Sequence, residues 1–127
     1  MSVFLGAPVV YRVTGINMKV TGVSPCGIGD FGGTLFIATF VAARRTAHVG
    51  EVGGAHFSIG TSAGGTYDDV IPSTQIPFTN VLWTGTPFGH PVIDSTHDDL
   101  WVNVTIAGSG GTSLVAEFFI EGYFLRH

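Results

Sequence analysis

Charge is scarce in this sequence. Only 11% of its 127 residues are Asp, Glu, Lys or Arg, although 45% are hydrophobic; an ordinary soluble domain carries about 25% charged residues. Lys19 is the single lysine. A small domain has a large surface for its volume, and a free-standing one covers that surface with charge. Lys and Glu are depleted where proteins meet proteins, so the shortage points to a surface that largely touches other subunits; the plainer alternative is a Gly, Ser and Thr surface that is polar without charge. Five basic residues stand against nine acidic ones, a formal net charge of −4. That balance argues against a nucleic-acid partner, since such binding rests on Lys and Arg neutralising phosphates.

Cysteine is nearly absent too. Cys26 is alone, so no internal disulfide forms and no C-x-x-C pair is available for metal or redox chemistry. Long apolar runs are missing: Leu35 to Ala43 and Ser113 to Ala116 fall well short of the roughly 18 residues that cross a membrane as a helix. The opening "MSVFLGAPVV" lacks a basic stretch before its apolar one and contains Pro8, so it does not read as a secretory signal. The chain is therefore expected to stay in the compartment where it is made, with no membrane partner. Its length fits one domain spanning residues 1–127.

What the sequence has is glycine, 19 residues of it, with six prolines set between short segments rich in Val, Ile, Phe and Thr. "YRVT", "INMKVTG", "TLFIATFVAA", "AHFSIGT", "NVLWT" and "PVI" read as strands. The alternation is clearest near the C-terminus. Leu100, Val102, Val104 and Ile106 interleave with Trp101, Asn103 and Thr105; after "GSGGT", Leu114, Ala116, Phe118, Ile120 and Phe124 interleave with Glu117, Glu121 and Tyr123. These two stretches are expected to form one long hairpin. Roughly eight antiparallel strands with close turns predict an all-β, single-domain sandwich of jelly-roll type.

"CGIGDFGG", residues 26–33, contains a formal G-x-G-x-x-G. A dinucleotide site needs a strand entering and a helix leaving those glycines; here they follow Pro25 and precede a strand, so the stretch reads as a loop. In "HPVIDSTHDD", His90, Asp94 and His97, with Asp98 and Asp99, have donor groups that suit zinc or another divalent ion. The stretch lies between two strands, where Asp and Ser make local turns, and no metal or cofactor is expected; these residues would hold one if it bound. Asp68-Asp69 reads as a solvated loop rather than a calcium site, and Cys26 as an isolated thiol rather than a nucleophile. No catalytic residues are assigned and the chain is not expected to be an enzyme; a cupin-like metal protein using His90 and His97 is the enzymatic alternative.

Two Gly/Ser/Thr loops, "FSIGTSAGGT" and "VTIAGSGGTS", read as paired tips at one end of the sandwich. Loops on a rigid scaffold are where contacts concentrate, so Gly60, Thr61, Ser62, Gly64, Gly65, Gly108, Ser109, Gly110 and Gly111 are the expected contact residues.

The stretch "FSIGTSAGGTYDDVIPSTQIPF", followed by "DDLWVNVTIAGSGGTSLVAEFFIEGYF", resembles the small all-β accessory proteins of tailed-bacteriophage particles: capsid decoration or cement proteins and related tail or fibre modules. The resemblance covers Phe57 to Phe124. It implies a non-enzymatic virion protein, often trimeric, assembled in the host cytoplasm onto the major capsid protein or other virion subunits. A tail or fibre module binding host-surface carbohydrate is the alternative, with Trp83, Trp101 or Tyr67 as stacking residues. Finally, the last strand is apolar on both faces, whereas a lone sandwich needs only one face dry. Phe119, Tyr123 and Leu125, flanked by Glu117 and Glu121, are therefore expected to meet a symmetry mate, about a threefold axis. The two glutamates should lie at the rim or pair with Arg12, Arg44, Arg45 or Arg126.

Overall fold

A computed structural model of the chain describes residues 4–5, 8–28, 35–50, 53–62, 65–76, 82–87, 92–94 and 99–126. These form ten strand segments: β1 (Phe4–Leu5), β2 (Val9–Asn17), β3 (Gly22–Pro25), β4 (Leu35–Val49), β5 (His56–Gly60), β6 (Ile71–Gln75), β7 (Leu82–Gly85), β8 (Val92–Asp94), β9 (Trp101–Ile106) and β10 (Ser113–Arg126). No α-helix occurs among the described residues. Every strand pairing is antiparallel.

Two sheets face each other. In the six-stranded sheet, β1 and β2 run end to end along one side of β10, β4 lies along its other side, and β7 and β8 run end to end along the far edge of β4. The four-stranded sheet has the order β3-β9-β5-β6. The ten segments thus make eight lanes; numbered along the chain, one sheet reads 1, 8, 3, 6 and the other 2, 7, 4, 5. The pairing is nested, as though one long hairpin had been rolled up.

The core lies between the sheets. Phe118 of β10 meets Phe57 of β5 across the gap, ring centroids 5.0 Å apart, and Phe57 also packs edge-on against Trp83 at 5.0 Å. Phe36 takes the edge of Tyr11 at 5.6 Å and lies 5.1 Å from Phe124. Phe36, Phe57 and Phe118 are fully buried. Gly122 interrupts the apolar row of β10 because a Cβ there would collide with the Ile37 carbonyl and the Phe36 ring.

Two sequence expectations are corrected. The stretches on either side of "GSGGT" do not form a hairpin: β9 lies in one sheet and β10 in the other. Two amphipathic strands can bury their apolar rows side by side or face to face, and alternation is the same in both. Here the connection crosses between sheets, tied by Gly108 N–H to the Met18 carbonyl at 2.9 Å, by paired bonds between Ser109 and Gly53 at 2.9 and 3.0 Å, and by Thr112 N–H to the Val49 carbonyl at 2.8 Å. The second correction concerns the Gly/Ser loops. His56 pairs with Ile106 and Gly60 with Trp101, so β5 and β9 run in opposite directions and the segments leaving them exit at opposite ends. They do not form one contact surface.

Candidate functional site

The register of the six-stranded sheet decides which residues point outward. Residues opposite one another in an antiparallel pair share a face. Phe118 and Ile120 face the core with Val13 and Tyr11, so Phe119 and Glu121 face outward with Arg12 and Val10 on one side and Ala42 and Phe40 on the other. Tyr123 pairs with Ile37, Leu125 with Leu35, and Ile37 in turn with Val92. The result is a largely apolar face, interrupted by Glu121 between Val10 and Phe40 and by Arg12 beside Phe119. Val10 is 57% exposed, Val92 46% and Phe40 38%, while Phe119, Tyr123, Leu125, Ile37 and Leu35 are half-buried.

Glu117 sits in this face, bracketed by bulges in both neighbours. Ala116 pairs with Ile16 and Phe118 with Val13, so Thr14 and Gly15 of β2 stand against Glu117 alone. Gly15 has φ 70°, the left-handed conformation that such a bulge favours in glycine. On the other side β4 shifts register between Val115 and Ala116. Arg12 donates to Glu117 through Nε at 2.8 Å and lies within 2.6 Å through its terminal nitrogen, and Arg44 donates from the other flank. The carboxylate is only 1% exposed, whereas the arginines are 58% and 53% exposed. It is covered rather than deep: the two side chains keep water off it, but solvent lies just beyond them and screens the cluster. The hydrogen bond from Arg12 is the largest cause of a carboxyl pKa held below its ordinary value, outweighing desolvation, with Arg44 adding to it. Arg12 also lies over the Phe119 ring, 5.8 Å from its centroid. Glu117 therefore pairs with two of the four arginines expected from the sequence.

The four-stranded sheet treats its outer face differently. The chain between β5 and β6 folds back over it: Asp69 accepts from Thr61 N–H and Thr61 Oγ1, both at 2.6 Å, Ser58 Oγ donates to the Tyr67 carbonyl at 2.7 Å, and Asn103 Nδ2 donates to the Thr66 carbonyl at 3.3 Å. Gly60 makes this possible, since a Cβ there would strike Asp69 and the backbone at Tyr67 and Asp68. Gly60 and Thr61 are buried, as is Gly108 in the other loop, so these three serve internal packing instead of offering an exposed tip. Ser62, Gly65, Ser109, Gly110 and Gly111 are exposed. Lys19 Nζ donates to the carbonyls of Gly110 and Gly111 at 3.0 and 2.9 Å. Gly64 lies outside the described residues.

Tyr67 is held at φ 54°, unlike any other described non-glycine residue, a conformation costing on the order of 1 kcal/mol. Its ring meets Trp101 at 5.8 Å and 61°. Trp83, by contrast, packs against the core, and is not an open stacking platform.

The remaining candidates separate. Asp99 accepts from the backbone N–H groups of Gly27, Ile28 and Leu100 at 3.0, 3.0 and 2.8 Å, so it anchors the start of the glycine-rich stretch. His90, His97 and Asp98 lie outside the described residues; Asp94 is described only by its backbone, opposite Leu35 at the end of β8. No group of three or more His, Cys, Asp or Glu that could hold a metal occurs among the described residues. Burial, and secondarily the Asp99 carboxylate, pushes the Cys26 thiol far above its ordinary pKa, which leaves it protonated and unreactive. Tyr11 is raised by the same two causes, and its hydroxyl donates to the Ile28 carbonyl at 2.8 Å.

No family model and no curated protein matches the chain. Among solved structures it is similar to a chain of one described as "Cyanophage Pam1 capsid asymmetric unit", with a TM-score of 0.56 and 10% identity, over 94% of this chain and 86% of that one. At that identity the likeness is one of fold: the two chains share an architecture along nearly their whole lengths.

Proposed function

We propose that this chain is a structural, non-enzymatic protein of a tailed-bacteriophage particle, a decoration or cement protein that binds and stabilises the head shell. The observation that carries this reading is the fold likeness to a chain of a phage capsid asymmetric unit over 94% of the length. It agrees with the resemblance of Phe57 to Phe124 to phage accessory proteins, and the nested lane order supports a sandwich of jelly-roll type. On this reading the protein resides in the virion, is assembled in the host cytoplasm, and takes the major capsid protein or another virion subunit as its partner.

The outer face of the six-stranded sheet is the surface for self-association. It combines Phe119, Tyr123 and Leu125 with Phe40, Val10 and Val92, outward apolar side chains that association would take out of water. A homotrimer built through this face presents three copies of each exposed loop, and three weak footprints in one body bind far more tightly than one. Light scattering at micromolar concentration is expected to read a trimer, and Phe119→Asp a monomer that no longer co-sediments with heads lacking the protein. A stable wild-type monomer overturns the trimer; failure of the wild type to bind such heads overturns the decoration role.

A further inference from the structure

The outer face of the four-stranded sheet carries a groove that the assembly face does not explain. It lies between the fold-back segment around Tyr67 and the edge strand β3, with a volume of about 580 Å³, within the range of roughly 300–1,000 Å³ common to small-ligand sites. From its chemistry we infer that this groove binds a neutral saccharide, an uncharged stretch of a glycan.

Three features select that ligand. Among the described residues the lining contains no Lys, Arg or His and one carboxylate, Asp68, so none of these groups attracts a phosphate, a sulfate or an acidic sugar. The polar groups are mixed donors and acceptors. Ser73 Oγ and Thr105 Oγ1 share one hydrogen bond at 2.7 Å, and Asn103 gives one amide N–H to the Thr66 carbonyl. Each hydroxyl and the Asn103 carbonyl keep further capacity. Sugar hydroxyls, which both donate and accept, match such a set. Third, Tyr67 lines the groove and brings an aromatic ring to it, the ring packed 5.8 Å from that of Trp101 and the carbonyl held by the Ser58 hydroxyl. Val23, 42% exposed, adds apolar surface on the β3 side. The positive φ of Tyr67 is a local strain that the surrounding bonds hold in place, and such outliers cluster at ligand-binding sites. A peptide is disfavoured: β3 offers four residues and ends in Pro25, which has no N–H to give an added strand.

The inference stands apart from the decoration role, because it is tested on the isolated protein. In ¹⁵N-correlation spectra, maltotetraose, cellotetraose and chitotetraose are titrated to about 20 mM, a range that detects millimolar binding. At least one is expected to shift the amides of Tyr67, Asn103 and Thr105 saturably. Thr105→Val and Tyr67→Gly should each weaken that binding by about tenfold or more, equivalent to about 1.4 kcal/mol. Glycine tolerates the Tyr67 backbone, so Tyr67→Gly is expected to keep the fold, and a melting temperature no lower than that of the wild type verifies it. Head binding by both variants should match the wild type. The inference is overturned if none of the three sugars shifts these amides, if the shifts map elsewhere, if Tyr67→Gly binds as tightly as the wild type, or if a peptide library occupies the groove in place of the sugars.

Discussion

On the six-stranded sheet the outward residues of β10 and its neighbours include Phe119, Tyr123, Phe40 and Val10, and among the described residues the Arg12 guanidinium lies over the Phe119 ring. On the four-stranded sheet the chain covers part of its own outer face, so that Ser58, which points away from the core, is fully buried beneath the Tyr67 segment. The two faces began with the same problem, a strand with a dry side and a wet side, and met it differently. One is covered in part by a segment of its own chain that Asp69, Thr61 and the glycine at position 60 hold down. The other is left largely apolar, with the Glu117 carboxylate neutralised by Arg12 and Arg44 and Glu121 set between Val10 and Phe40. On the proposed function, another subunit lies on that face.

The largest effect that tests this contrast compares neighbours on β10. Phe118→Ala opens a cavity against Phe57 in the fully buried core and should cost about 3–5 kcal/mol in urea unfolding. Phe119→Ala, one residue further along, should cost far less in the monomer and act on association instead. Equal losses at both positions would break the distinction between a core face and an assembly face.

Next comes the cover itself. Asp69→Ala removes both acceptors of Thr61 and should cost about 1–3 kcal/mol, with faster hydrogen exchange in β5 and little change in β10. A smaller effect of opposite sign is expected from Tyr67→Gly, which relieves the positive φ and should leave stability unchanged or raise it by about 1 kcal/mol.

The smallest effect concerns Glu117. Its folded pKa lies below the ordinary value of 4.5, so the arginine cluster contributes stability above the unfolded pKa, and that contribution is lost as pH falls through the lower, folded pKa. Unfolding measured from pH 6 downward should show this loss from about pH 5, and Glu117→Gln should flatten it. Since the arginines are half-exposed, high salt should shrink the difference.

The strand character of residues 113–125 was legible because alternation is local: Phe118 and Ile120 inward, Phe119 and Tyr123 outward. The outward partners Val10, Phe40, Ile37 and Val92 were not legible. They join Phe119 and Tyr123 only through pairing register, and register depends on bulges such as Thr14-Gly15 that no single strand announces. For the same reason β9 and β10 looked like a hairpin, and two loops with similar composition looked like neighbours. β6 was missed because Pro72 breaks its pattern, although an edge strand tolerates a proline. Asp69 and Asp99 resembled ordinary loop acids; what distinguishes them is the distant backbone that each one holds.

The most direct test is a cryo-EM map of a phage particle that contains this chain. The account predicts that it lies on the head shell, that Phe119, Tyr123, Leu125 and Phe40 are covered by a symmetry mate, and that the Tyr67 groove opens to solvent. A particle in which the chain is absent from the shell, or in which the outer face of β10 stands bare to water, contradicts it.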